Sequence, residues 1–351
     1  MKLTMQLGVR SYDIIIKRGS LGRMNQLVHL DRKVLVVTDS GVPVQYVQQA
    51  AAQCAHPYIV TVPQGEDSKS LEVWQQLLHT MLEKGFGRGD AVMAVGGGVV
   101  GDLAGFAAAS YMRGIDFINL PTTTLAQIDS SIGGKTAINF ENTKNIVGAF
   151  WQPRLVIVDP DVLSTLPPRH FAAGLAEAVK AGLLADSELF RLFEEEDYNE
   201  RIEEVIYRSL IVKKNIVERD ENEKGDRAAL NLGHTIGHGI ESVSSLHGYR
   251  ALYHGECVAL GMLPMIEDKK LATRLRKVYR RLGLPARVNY DRQAVVEAMR
   301  HDKKAQAGSI TVVKIPQLAQ FRLDKVPFEE VAALVLGTAR EIQPRKKEQQ
   351  E

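Results

Sequence analysis

The sequence predicts an α/β domain built on a mostly parallel sheet, followed by an all-helical domain. Three observations carry this. In the first 160 residues short β-branched runs alternate with longer helical patterns, the arrangement that puts helices on both faces of a parallel sheet. From Pro168 onward helical periodicity takes over. Between them lies the Pro-rich stretch DPDVLSTLPPRH, residues 159–170, so the domains are expected at 1–160 and 161–351. The 351 residues also exceed what one typical core holds.

The elements follow in order. Val34 to Thr38 reads as a strand and Val42 to Gln53 as a helix. Tyr58 to Val62 is a strand, and Ser70 to Lys84 a helix. Ala91 to Val95 is a strand, followed by a helix of small residues from Asp102 to Ser110. Phe117 to Leu120 and Leu155 to Val158 are further strands. In the second half Phe171 to Leu184, Glu203 to Glu218, Ala228 to Ser245, Gly255 to Leu271 and Ala294 to Arg300 carry helical periodicity.

Composition narrows the function. Lys plus Arg is 44 and Asp plus Glu 42, a near-balance without the electrostatic footprint of a nucleic-acid binder. Two cysteines, Cys54 and Cys257, argue against a disulfide scaffold or a thiolate metal site and fit a reducing, cytoplasmic setting. The N-terminus lacks the apolar core of a signal peptide, and no run approaches the roughly 20 apolar residues of a membrane span. The tail RKKEQQE, 345–351, is expected to be a solvated end.

Three stretches carry chemistry. AVGGGVVGDLAG, 94–105, spells Gly96-x-Gly98-x-x-Gly101 after an apolar run. Glycines there let backbone N–H groups approach a pyrophosphate at a helix N-terminus, although a tight, well-packed strand-to-helix turn would use the same residues. An ordinary dinucleotide fold places this loop after its first strand, and here about ninety residues precede it. Residues 121–153 hold Thr122, Thr123, Asp129, Lys135, Lys144 and Asn145 among glycines, a set suited to phosphate or sugar oxygens. In LNLGHTIGHGIE, 230–241, read with Arg227, the spacing puts Arg227, Asn231, His234 and His238 on one stripe of an α-helix. His254 and Glu177 complete a possible open metal set of histidines and a carboxylate. Spacing does not say which three bind, and His234 with His238 could chelate as a pair. Lys180 lies one turn from Glu177, and taken alone that pair reads as a surface salt bridge.

Together these stretches resemble 3-dehydroquinate synthases over nearly the whole chain. The matching runs are TDSGV (38–42), PQGEDSKS (63–70), GGGVVGDLAGFAAASYMRG (96–114), 121–153, AEAVK (176–180), LNLGHTIGHGIE, HGECVALGM (254–262) and HDKK (301–304). The resemblance implies a variant Rossmann-like sheet with its own strand order, and a glycine loop that cradles NAD in an enzyme without net oxidation. It implies metal ligands Glu177, His234 and His254, holding Zn²⁺ or Co²⁺, with His238 lining the site. It implies NAD contacts from Asp39, Glu66, Lys69, Gly97, Gly98, Val99, Asp102, Thr122, Thr123 and Lys144. It implies substrate contacts from Asp129, Lys135, Asn145, Lys180, Lys213, Arg227, Asn231, His238 and one of Lys303 and Lys304. Family members are typically homodimers in which the residue matching Arg113 reaches the neighbour's site.

The reaction implied is conversion of 3-deoxy-D-arabino-heptulosonate 7-phosphate to 3-dehydroquinate and phosphate, a step of the shikimate pathway to aromatic amino acids. It runs by transient oxidation, phosphate elimination, re-reduction and aldol closure. Two rivals share parts of this pattern: another sugar phosphate cyclase of the 2-deoxy-scyllo-inosose synthase type, and a metal-dependent polyol dehydrogenase. Asp102 and the Gly133-Gly134-Lys135 run favour the dehydroquinate synthases over the first. The second has no need of the cations Lys135, Lys180, Lys213 and Arg227. Segment 308–323, with Lys314 inside an apolar run, follows the family less closely.

Overall fold

The apolar runs of the first half become the strands of one seven-stranded sheet in a computed structural model that describes residues 1–141, 143–195, 197–246, 251–287, 290–300 and 308–337. Lys303, Lys304, His247 and the 345–351 tail lie outside the described residues. The strands are β1 (Lys2–Met5), β2 (Tyr12–Ile16), β3 (Lys33–Asp39), β4 (His56–Val62), β5 (Ala91–Gly96), β6 (Asp116–Pro121) and β9 (Leu155–Val158). Their spatial order is β1-β2-β9-β6-β5-β3-β4. Only β1 with β2 is antiparallel; every other pair is parallel. The two N-terminal strands are an addition to the expected elements.

Alternation along the central strands serves two cores. Val34, Val36, Met93, Val95, Ile118 and Leu120 face one, and Leu35, Val37, Val92, Ala94 and Phe117 the other. Burial on both faces explains why these strands read as unbroken apolar runs. Helices α1 (Val44–Ala51), α2 (Leu71–Glu83) and α3 (Gly98–Ser110) supply the cover. Ser70 caps α2 by accepting the Val73 N–H at 3.3 Å. Helix α3 starts four residues before the expected Asp102, inside the glycine loop itself. Residues 135–150, for which no element is expected, form an antiparallel hairpin of β7 (Lys135–Phe140) and β8 (Thr143–Phe150).

Beyond β9 the chain is helical: α4 (Pro168–Ala185), α5 (Ser187–Glu194), α6 (Ile202–Arg219), α7 (His234–Leu246), α8 (His254–Met262), α9 (Lys269–Leu282), α10 (Arg292–Arg300) and α11 (Phe328–Leu336). Between α10 and α11 lies one antiparallel hairpin, β10 (Ser309–Gln317) with β11 (Gln320–Pro327). Lys314 sits in β10 and pairs with Asp324 at 3.7 Å.

Two expected helices are corrected. The run 228–245 is broken: Asp226–Asn231 is a 3-10 turn and the α-helix starts only at His234. Gly233, at φ +79°, makes the break. Arg227, Asn231, His234 and His238 therefore do not share one α-helical stripe. The run 255–271 ends at Met262 and passes through a 3-10 turn, Leu263–Met265, before α9. Pro264 forces this, since it cannot supply the N–H that a continuing helix needs.

The chain divides into two compact units. One comprises Met1–Ala181 with Arg191–Arg227, and the other Gly182–Phe190 with Ala228–Glu351. Most of α4 and all of α6 thus belong with the sheet.

Candidate active site and metal centre

In the first unit the C-terminal ends of the parallel strands gather the cofactor candidates. The chain runs from β3 outward to β4, then returns to the other side of β3 as β5. That reversal opens a crevice at the strand ends, where open α/β sheets bind ligands. Asp39 ends β3, Gly96 ends β5 and Thr122 follows β6. The Thr122 N–H donates to the Gly96 carbonyl at 2.9 Å and fixes the two edges together.

The glycines are needed for space. A Cβ on Gly96 would meet Val100 at 2.6 Å, and one on Gly98 would meet the Ser130 hydroxyl at 3.0 Å. Packing alone thus selects glycine at both positions. Lys69 is buried and pairs with Asp102 at 2.7 Å, with the Asn145 carboxamide oxygen, and with Glu66 at 3.7 Å. Burial pushes the Asp102 carboxyl up, against the pull of Lys69. Burial likewise raises Asp39, opposed by N–H donation from Gly41 and Val42.

The substrate candidates of this unit form a cationic cluster with matched acceptors. Asp129 lies in a π-helical turn, Ala126–Ser130, a distortion common at functional sites. Lys213 on α6 donates to the Asp129 carbonyl at 2.9 Å and pairs with its carboxylate at 3.0 Å. Burial holds the Lys213 ammonium below the usual lysine range; Asp129 opposes this, while Arg227 and Lys180 reinforce it. Arg227 is buried, donates to the Gly133 carbonyl at 3.0 Å and to the Glu221 carbonyl, and its guanidinium is lowered chiefly by burial. Tyr12 holds the other side of the same residue by accepting the Gly133 N–H at 3.3 Å. Lys135 pairs with Glu223.

The Glu177–Lys180 pair corrects one expectation. Both side chains are buried, so this is no surface salt bridge. A buried pair demands satisfied geometry and is seldom incidental.

In the second unit the three histidines stand together. Ring centroids are 5.4 Å apart for His234 and His238, 5.2 Å for His234 and His254, and 5.8 Å for His238 and His254. Glycines make this possible. Gly233, Gly237 and Gly261 let α7 and α8 touch backbone to backbone; a Cβ on Gly261 would sit 2.0 Å from the Gly233 carbonyl. The His254 Nδ1 meets the Glu241 carboxylate at 3.0 Å, which fixes the ring and leaves Nε2 to project elsewhere.

Among the described residues one set of side chains could hold a metal ion: Glu177, His234 and His254, whose ligand atoms all lie within 4.8 Å of one another. One carboxylate and two imidazoles suit Zn²⁺ or Co²⁺ and leave a coordination position open. His238 stays beside the set without belonging to it.

Several partners escaped sequence reasoning: Glu241 on His254, Glu223 on Lys135, and Asn139, which bonds both Glu66 and Asn145. Only Glu241 left a signal, lying three residues after His238 and seven after His234 on one helical face. Among the described residues no helix is long and apolar enough to cross a membrane.

The N-terminal domain family of 3-dehydroquinate synthases matches residues 59–173, and the C-terminal domain family residues 174–305. The chain is 39% identical over 361 aligned residues to 3-dehydroquinate synthase of Enterococcus faecalis, covering 95% of this chain and 98% of that one. It is 40% identical over 354 residues to the enzyme of the same name in Streptococcus thermophilus, with 94% and 98% covered.

Among solved structures, a 2-deoxy-scyllo-inosose synthase complexed with carbaglucose-6-phosphate, NAD⁺ and Co²⁺ superposes with a TM-score of 0.85 at 24% identity, covering 95% of this chain and 99% of that one. A 2-epi-5-epi-valiolone synthase from Streptomyces hygroscopicus with NAD⁺ and Zn²⁺ gives 0.82 at 26%, covering 94% and 97%. A glycerol dehydrogenase from Sinorhizobium meliloti falls to 0.58 at 18%, covering 94% and 98%, a likeness of fold alone. On its sequence relatives, the chain belongs to the 3-dehydroquinate synthase family.

Proposed function

We propose that this chain performs the family reaction as an NAD- and metal-dependent enzyme, converting 3-deoxy-D-arabino-heptulosonate 7-phosphate to 3-dehydroquinate with loss of phosphate. The observation that carries the dependence is the convergence of Glu177, His234 and His254 in a chain whose glycine loop follows β5 at a sheet switch point. NAD would supply a reversible hydride acceptor, and Zn²⁺ or Co²⁺ a Lewis acid at the hydroxyl that is oxidised.

The chain's own residues supply binding and charge. Asp39, Glu66, Lys69, Gly97, Gly98, Val99, Asp102, Thr122, Thr123 and Lys144 hold NAD. Glu177, His234 and His254 hold the metal, with Glu241 orienting His254. Lys135, Lys180, Lys213 and Arg227 neutralise the phosphate and carboxylate of the substrate, so that phosphate leaves against fixed positive charge. Asp129 fixes Lys213, while Asn145, Asn231 and His238 bind the hydroxyls, together with Lys303 or Lys304. No dedicated carboxylate base is required, because the departing phosphate can itself accept the proton.

We assign the active form as a cytoplasmic homodimer. Phe140, Ile146, Val147 and Phe150 are exposed large apolar side chains on the β7–β8 hairpin. Arg113 lies in an exposed turn with left-handed backbone at Met112 and Arg113, suited to reaching a neighbouring subunit. The cytoplasm fits the two free, buried cysteines.

The test is phosphate release from 3-deoxy-D-arabino-heptulosonate 7-phosphate by purified protein with catalytic NAD and zinc. Chelator-sensitive release without NADH build-up is expected. Release from glucose 6-phosphate alone would transfer the chain to the inosose cyclases, and steady NADH formation from simple polyols to the dehydrogenases.

A further inference from the structure

Asn139 lies near the end of β7 and makes three hydrogen bonds that join two sets of site residues. Its backbone N–H donates to the Lys69 carbonyl at 2.7 Å. Its carboxamide NH₂ donates to the Glu66 carboxylate at 2.9 Å, and its carboxamide oxygen accepts the Asn145 N–H at 2.9 Å. The ring closes through Lys69, whose ammonium reaches the Asn145 carboxamide oxygen and lies 3.7 Å from Glu66. Asp102 anchors the same ammonium at 2.7 Å. Asn145 meanwhile holds a left-handed backbone, φ +54°, which needs support from its surroundings.

The chemistry of the ring demands asparagine at 139. One end of the side chain faces a carboxylate and must donate; the other faces an N–H and must accept. Aspartate would set a second carboxylate against Glu66, and an aliphatic side chain would leave both partners unmet.

We infer that Asn139 is a positioning residue that couples the cofactor side of the site, Glu66 with Lys69 and Asp102, to Asn145 on the substrate side, so that each ligand tightens the other. This deepens the proposed function and rests on its assignment of Glu66 and Lys69 to NAD and Asn145 to substrate. Asn139 itself touches neither ligand. Coupling of this kind is reciprocal: whatever factor NAD adds to substrate affinity, substrate adds to NAD affinity.

The experiment compares the zinc-loaded full chain with Asn139→Ala, Asn139→Asp and the double variant Asn139→Asp/Glu66→Gln. NAD binding is read by calorimetry without substrate, and KM and kcat by phosphate release at saturating NAD. Asn139→Ala is expected to weaken NAD and raise KM by about 10-fold each, with kcat changed about threefold or less. Asn139→Asp should be worse on both.

In the double variant the bond is restored with its polarity reversed, the new amide at position 66 donating to the new carboxylate at position 139. KM, which Glu66 does not touch directly, should then return toward the unaltered value. A chain that is merely loosened at this position would lose thermal midpoint without that recovery of KM. Unchanged NAD affinity and KM in a folded Asn139→Ala variant would overturn the inference, and so would an Asn139→Asp defect that Glu66→Gln leaves in place. An unaltered chain that neither binds NAD nor releases phosphate would instead sink the proposed function.

Discussion

At the scale of single residues, the site depends on partners that carry no chemistry of their own. Glu241 accepts from His254 and so decides which ring nitrogen is available. Glu241→Gln should therefore weaken metal retention by about 10- to 100-fold, while His254→Ala should abolish retention and turnover together. Metal content after dialysis, measured beside phosphate release, separates the two; full activity in His254→Ala would remove the ligand assignment. Lys213 yields a pH prediction. Burial lowers its pKa below the ordinary 10.5, so it sheds its proton earlier than an exposed lysine as pH rises. In that window the unfolded chain binds more protons than the folded one, so stability climbs with pH while anion binding fades. The rate profile should bend down on the alkaline side, and Lys213→Arg, which stays charged, should push that bend to higher pH even at reduced rate. An alkaline limb in the same place for both proteins would show that Lys213 does not set it.

At the scale of elements, the contact of α7 with α8 is the part least tolerant of change. Gly261→Ala should cost about 3 kcal/mol, because the new methyl meets a backbone carbonyl that cannot rotate away. Denaturant midpoints at unchanged slope would measure it, and a loss below about 0.5 kcal/mol would mean the helices can separate freely. The same region marks where sequence reasoning stopped. β3, β5, β6 and β9 were legible because both of their faces are buried, and periodicity needs no tertiary knowledge to reveal that. Motifs singled out the glycine loop, the lysines and the residues Glu177, His234, His238 and His254, while spacing left open which three of the last could share a metal. The break at Gly233 was not, since apolar spacing runs through Leu230, Leu232 and Ile236 as if one helix continued. Only the crowding of Gly233 against Val258 and Met262 shows why the chain turns there. The β7–β8 hairpin was hidden for the opposite reason: β8 is exposed along almost its whole length and shows no burial pattern to read, and β7 buries only its middle residues. The Asn139 and Glu223 bonds join residues distant in sequence, which no spacing rule connects.

At the scale of the whole molecule, the exposed apolar hairpin and the Arg113 turn bear on assembly. On the proposed homodimer, Val147→Asp should shift the chain from dimer to monomer in sedimentation equilibrium, with activity falling alongside if Arg113 completes a neighbour's site. A dimer that persists unchanged would move the interface off this hairpin. The glycine contacts of α7 and α8 also reach beyond stability. If every codon of the gene were randomised and functional clones sequenced, Gly233, Gly237 and Gly261 should emerge nearly as invariant as the ligands, although none can donate an electron pair from a side chain. Gly8 and Gly283, whose added Cβ atoms would meet nothing, should accept replacements far more readily despite their left-handed backbones. The histidine cluster would stand out in such a tolerance map partly through neighbours that have nothing to offer but their small size.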